Sequence, residues 1–492
     1  MKKFAFLMLL LCAEMNVMFA QIAAPTLNSP ADGYVYPSTV KPFLKMNTVS
    51  GASYYLFHWS EDPTFATYSS YTMQSSYTGL NVNGLKFGTT YYWRVYAITA
   101  NYADTSASSA VWSFTTTNAP TITAPADGTV LTNSIMPNIQ WTEIVGATHY
   151  IYQCDTTPSF NSSLRRTYTL GYQSGGSNPL NLSFGKTYYL RMRATNTNES
   201  DTSAWSAVRS FTTSDSITLV SFNDPSPTAN YYTRQTLSWK PYRGVTQYFL
   251  QLDTTPHFNS PVLQQINHTS SSTSTTDNQS VIINNMRYGS MYYWRVRAAN
   301  YNGSDTSSWS ATWQFHTMDF VNNTDNTINN SDSTQNYYTR QTLYWKNNRG
   351  STKYLLQLDT TPHFNSPILR EIYTTNDIDN TTNELSTKVY NMLYGTMYYY
   401  RVCAINNAPD TSGWSATWQF HTINKVFSTS NTINDTVSTT TYYTRQTLKW
   451  ENNRGSTQYI LQLDTTPDFN SPVLRQVNIT NDRDDETNEL MN

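Results

Sequence analysis

The stretch Tyr231-Tyr232-Thr233-Arg234-Gln235-Thr236-Leu237-Ser238-Trp239 decides how this chain is read, because it returns at Tyr337 to Trp345 and again at Tyr442 to Trp450. Each copy is followed by Leu-Gln-Leu-Asp-Thr-Thr-Pro, beginning at Leu250, Leu356 and Leu461, and then by Phe-Asn-Ser-Pro. The copies stand about 105 residues apart, far beyond a solenoid unit and close to the length of one small domain. The chain is therefore a tandem array. Aligning it gives repeats over residues 21–117, 118–214, 215–318 and 319–423, and an incomplete fifth over 424–492.

Within a repeat the apolar residues fall at period two. Tyr248, Leu250 and Leu252 alternate with Gln247, Phe249 and Gln251, and the same register gives Tyr354, Leu356, Leu358 and Tyr459, Leu461, Leu463. Alternation of this kind marks a strand with one buried face. In repeat two the inward set is Tyr150, Tyr152 and Cys154, so Cys154 reads as a small core residue. A second pattern runs Met286, Gly289, Tyr292, Trp294, Val296, Ala298, matched by Leu85 to Ala97, Leu182 to Ala194 and Met392 to Ala404. It describes a corner, whose Gly suits a turn that a Cβ would hinder, and then a half-buried strand. Asp-Thr-Ser-x-Trp-Ser follows and leads to a last strand ending at Phe315-His316-Thr317 and its counterparts. Helical periodicity and caps are missing, and short β runs between Gly, Pro, Asn and Asp clusters predict all-β sandwiches.

These residues together resemble the fibronectin type III family. The second-strand Trp (Trp141, Trp239, Trp345, Trp450), the third-strand Tyr nine residues on, the Leu-x-x-Gly-x-x-Tyr corner and the Trp-Ser before the final strand carry the resemblance. It implies tandem immunoglobulin-like β-sandwiches and a Tyr292 hydroxyl bonded to backbone near the preceding turn. Repeat one departs from the pattern, with Met46 in the Trp position and Ser108 in place of the later Trp, so its core must pack differently.

Composition narrows the function. The 492 residues carry 38 Tyr and 13 Trp, which a chain with no folded core would lack, and a formal charge of −2 leaves no basic excess for phosphate runs. Nucleic acid is not an expected partner. Lys2 and Lys3, the apolar run Phe4 to Leu11 and the Ala20-Gln21 junction predict a signal peptide over residues 1–20 and export to the cell surface or medium. No later stretch reaches the length of a membrane span. After signal removal only Cys154 and Cys403 remain, in different repeats, so no disulfide framework holds the array.

No constellation for catalysis is found. The 7 His are scattered, and Asp468 stands where His257 and His363 do, so no zinc or triad spacing recurs. The expectation is a non-enzyme with no cofactor, no metal and no catalytic residue. The acidic stretches Asn376 to Asn380 and Asn481 to Glu486 lack EF-hand spacing and read as solvated loops. The Asn-rich opening Asn322 to Asn336 reads as an exposed loop. Asp-Thr-Thr-Pro reads as a turn. It is also similar to the Asp-Thr-x sites O-glycosylated on secreted proteins of some Bacteroidetes.

Candidate ligand-binding residues lie on the outward face of the penultimate strand: Tyr293, Arg295 and Arg297 in repeat three, Tyr189, Arg191 and Arg193 in repeat two. Tyr and Arg suit an interface or a sugar face, and equally a sheet braced by its own cross-strand stacking. The expected function is a surface spacer or adhesion scaffold whose partner is an extracellular protein or polysaccharide. The alternatives are a carbohydrate-binding array, or the accessory region of a glycan-degrading enzyme whose catalytic domain lies beyond residue 492. The fifth repeat stops before its corner and last strands, which predicts a truncated form of a longer protein with 424–492 mobile.

Overall fold

The structure, a computed structural model, describes residues 21–492 apart from 103, 172–181, 196–200, 227–230, 271–276, 301–302, 334–335, 408–409, 428–443, 483–486, 488 and 492. The expected signal peptide lies outside the described residues.

Where the sequence alternates, strands form. In repeat three Val245–Asp253 is flanked by Gln264–Thr269 and Met291–Asn300, and Trp313–His316 completes a four-stranded sheet. Gln235–Trp239 pairs with Gln279–Ile283 to make the facing sheet. Repeat one shows the full arrangement, a sheet of Leu27–Ser29, Phe43–Met46 and Gly79–Asn81 against a five-stranded sheet ordered Tyr34–Val35, Trp112–Thr115, Thr90–Ile98, Tyr54–Ser60, Ser69–Gln74. The fold is all-β, two sheets closing on one core per repeat. The short Tyr34–Val35 strand runs parallel to Trp112–Thr115, and repeats two and four repeat that parallel edge. No described helix is long and apolar enough to cross a membrane.

The inward residues fill the core. Trp239, Leu252, Trp294, Val296 and Phe315 are fully buried, and the Trp239 ring lies 5.4 Å from that of Tyr248. In repeat one Met46 is buried where the other repeats have Trp, and it shares the core with Trp93, whose ring is parallel to that of Phe57. Cys154 is buried as expected, and burial pushes its thiol up to about 12.

Two tyrosines staple each complete sandwich. The corner hydroxyl accepts a backbone N–H at the preceding turn, Arg287 to Tyr292 at 2.9 Å, with Tyr91, Tyr188 and Tyr398 doing the same. The third-strand Tyr248 hydroxyl accepts the Tyr242 N–H at 2.9 Å, and Tyr55, Tyr150, Tyr354 and Tyr459 have the same bond. Such bonds answer loop amides that close packing removes from water.

The described part of the Asn322 to Asn336 stretch up to residue 333 is a loop with no buried residue, as expected, but it is anchored. Val321 is buried and Ile328 packs on the core, while Lys346 donates its N–H to Asn322 and the Tyr400 hydroxyl donates to Ile328. Sparse apolar anchors hold a polar segment along the sandwich. In the fifth repeat Lys449–Glu451 pairs with Glu489–Met491 and Gln458–Leu463 with Arg475–Thr480.

Candidate functional surface: the aromatic–arginine stacks

The candidate residues Arg191, Arg193, Arg295 and Arg297 do lie on the outward sheet face, and what surrounds them is aromatic. Arg295 Cζ sits 4.0 Å from the Phe258 ring and 4.6 Å from the Trp309 ring, so the guanidinium is held between them. Its Nε and Nη2 both donate to Gln251 Oε1, at 2.9 and 2.7 Å, from the position opposite on the neighbouring strand. Repeat two has the same group in Arg191, Phe160, Trp205 and Gln153, and repeat four in Arg401, Phe364, Trp414 and Gln357. Arg193 and Arg297 lie over the same Trp205 and Trp309 rings at 4.8 and 4.6 Å. Burial, with Arg297 beside it, lowers the Arg295 pKa from the ordinary arginine value. Cation–π contact with two rings offsets the lost hydration. Tyr189 and Tyr293 are half-buried at the end of the row, paired across the sheet with Ser210 and Gln314. In repeat one Ser108 replaces the Trp, and Arg94 lies over Phe65 and Tyr96 alone.

The Phe of each stack stands in a left-handed backbone conformation, φ 53° at Phe258, with Phe65, Phe160, Phe364 and Phe469 alike. An L-residue there is strained by about 1–2 kcal/mol. The turn before it holds the strain. Asp253 is fully buried and its carboxylate accepts from Thr254 N (2.7 Å), Ser260 N (3.0 Å), Thr255 Oγ1 (3.3 Å) and the Ser260 hydroxyl. The Phe-Asn-Ser-Pro motif is thereby explained: Ser ties the turn and Phe carries the ring that receives Arg.

Asp-Thr-Ser-x-Trp-Ser is explained letter by letter. Ser307 and Ser310 hydroxyls accept the Ala298 and Val296 amides at 3.0 Å, bracing the strand where it lacks a partner strand. Trp309 lies on the two arginines. The Asp reaches the preceding repeat, Asp305 Oδ2 accepting Phe184 N at 3.0 Å. The register of the outward Arg was visible in sequence, but its partners were missed. Gln251 could have been found as its cross-strand neighbour, whereas Phe258 could not, because its ring is turned by a left-handed turn.

Other candidate chemistry is internally paired. A cleft of about 680 Å³ in repeat one is lined by Trp59, Glu61, Asp62, Tyr68 and Lys86. Glu61 forms an ion pair with Lys86 at 2.8 Å, and Thr64 donates to both Asp62 oxygens, which lowers that carboxyl's pKa. Asp379 of the acidic stretch pairs with Arg234 of the preceding repeat. The equivalent 483–486 lies outside the described residues. Among the described residues no cluster of His, Cys, Asp and Glu could hold a metal ion.

No family model matches the chain, and no curated protein matches it. Among solved structures it is similar to the FN1–FN3 domains of chicken CNTN1, at 13% identity and TM-score 0.18, over 60% of this chain and 99% of that one. The fold assignment rests on the strand order above.

Proposed function

We propose that the chain is a non-catalytic, secreted or surface-attached scaffold whose repeats act as spacers that present binding surfaces. The observation that supports this is the occupation of the outward guanidinium groups within their own repeat: two rings lie within 4.6 Å of Cζ in each of Arg191, Arg295 and Arg401, and a Gln accepts from Nε and Nη2 of the first two and from Nε of Arg401. Groups so occupied brace the sheet and leave little for a sugar to contact. Affinity electrophoresis of the full chain through gels containing a panel of polysaccharides tests the reading. Unretarded migration is expected. Retardation that disappears in Tyr189→Ala and Tyr293→Ala would shift the assignment to a carbohydrate-binding array.

A further inference from the structure

Wherever one repeat abuts the next, four side chains meet. The earlier repeat supplies one from the segment before its second strand and one from the residue preceding its corner glycine. The later repeat supplies two from the loop after its second strand. Between repeats one and two these are Val40, Phe87, Ile144 and Ala147, all buried in one apolar cluster. Between two and three they are Ile135, Phe184, Tyr242 and Val245, again in that cluster, with the Phe184 and Tyr242 rings 5.4 Å apart.

The next joint is built of different chemistry. Thr233, Tyr288, Asn348 and Ser351 occupy the same places; Tyr288 and Ser351 share a hydroxyl–hydroxyl bond of 2.9 Å and Thr233 Oγ1 donates to Arg349 O at 3.4 Å. Asn348 is buried, and neither atom of its side-chain amide has a partner among the described residues. Between four and five the set is Thr339, Tyr394, Asn453 and Ser456, with the Tyr394–Ser456 bond at 2.8 Å and Thr339 Oγ1 to Arg454 O at 3.5 Å. Asn453 is likewise buried, its side-chain amide without a partner among the described residues. Three of the four positions switch from apolar to hydrogen-bonding residues together, and the fourth exchanges Ile or Tyr for Asn.

The backbone frame is shared. The carboxylates of Asp201, Asp305 and Asp410 accept the corner amides of Phe87, Phe184 and Tyr288 at 2.7, 3.0 and 2.8 Å. The loop glycine, Gly350 in the third joint, has φ +99°, and a Cβ there would stand 2.9 Å from the Arg234 backbone. A common frame with two side-chain fillings is how an interface discriminates, since a mixed filling leaves buried hydroxyls unmatched.

We propose that each joint is a lock of one of two side-chain chemistries: apolar contact at the first two joints, where the Tyr242 hydroxyl donates to the backbone oxygen of Ser214 at 2.6 Å, and a hydroxyl–hydroxyl bond between side chains at the last two. A face docks firmly only on a face of its own class, repeat three carrying an apolar face towards repeat two and a polar one towards repeat four, and this matching stiffens the array. The use of such stiffness rests on the scaffold reading; the geometry does not.

Hydrogen exchange of the full chain, followed by mass spectrometry over 284–290 and 345–352, tests the lock. Tyr288→Phe and Ser351→Ala, singly, each remove the hydroxyl–hydroxyl bond across the joint while leaving one of its two partners in place, and should speed exchange in both segments about tenfold. The double variant removes both hydroxyls and should return exchange towards wild type. In the first joint Phe87→Tyr places a hydroxyl in the apolar cluster and should loosen 85–88 and 144–147. Continued protection of Met291–Asn300 and Met397–Ile405 for the third joint, and of Thr90–Ile98 and Thr187–Thr195 for the first, reports that the sandwiches stay folded. Silent single variants, or a double variant whose effects simply add, would overturn the proposal. Neither outcome touches the scaffold reading, which the polysaccharide gels judge separately.

Discussion

Tyr292 and Asp253 show how single polar groups hold these sandwiches. The Tyr292 hydroxyl accepts the Arg287 amide at 2.9 Å, and without it that partly buried N–H has no such acceptor. Tyr292→Phe should therefore lower stability by about 1–2 kcal/mol, read as a shifted urea midpoint of repeat three. An unchanged midpoint would contradict the bond's importance. Asp253 adds a dependence on pH. Burial raises its pKa, but the Ser260 hydroxyl and the amides of Ser260 and Thr254 outweigh that, and the carboxyl titrates below the ordinary value of 3.8. A folded-state value below the unfolded one gives stability that is complete above the unfolded value and is lost as pH falls through the folded one. Wild type should thus exceed Asp253→Asn in midpoint at pH 7, and the gap should narrow below pH 3.8. A gap that stays constant down to pH 2 would show that the charge is not what matters.

At the level of elements, the period-two rows were legible because a strand with one buried face writes its burial directly into alternate positions. Tyr248, Leu250 and Leu252 are buried as their spacing requires. The corner was legible for the same local reason, a Gly and a Tyr at fixed offsets. Short parallel edges such as Thr129–Val130 were not, since two residues carry no period and their partner Arg209–Thr212 lies some eighty residues away. The arginine stacks fell between these cases. Their register was visible, yet the rings that enclose them arrive from a turn and from the Trp-Ser segment. The core prediction belongs here too. Trp239 is fully buried and its indole N–H has no acceptor among the described residues, so apolar packing and its ring contacts with Tyr248 and His268 hold it. Trp239→Ala should cost about 3–5 kcal/mol and abolish the near-UV circular dichroism of repeat three. A native-like spectrum would refute the placement.

Across the whole molecule, the array was legible from repetition, but its joints were not, because Tyr288 and Ser351 are 63 residues apart and only their neighbours in space make them a pair. Comparing the repeats with one another holds the signal, since the joint residues change class together. The fifth repeat makes a different demand on the molecule. Tyr459 and Trp450 are buried, and the segment docks on repeat four through the Tyr394–Ser456 bond. Its third strand, Gln458–Leu463, nevertheless pairs only with Arg475–Thr480 among the described residues, whereas Val245–Asp253 is flanked on both sides. Leu463 is consequently 56% exposed where Leu252 and Leu358 are 0%. A strand with an open edge and an uncovered apolar face has little to resist local opening. Limited proteolysis of the 492-residue chain should therefore cut first in the 458–480 hairpin, at Arg475 with trypsin, and leave a resistant core of the four complete repeats. Cleavage within Met291–Asn300 or Met397–Ile405 at the same rate would mean that the open hairpin is as well protected as a closed sandwich, and the argument from its uncovered face would fail.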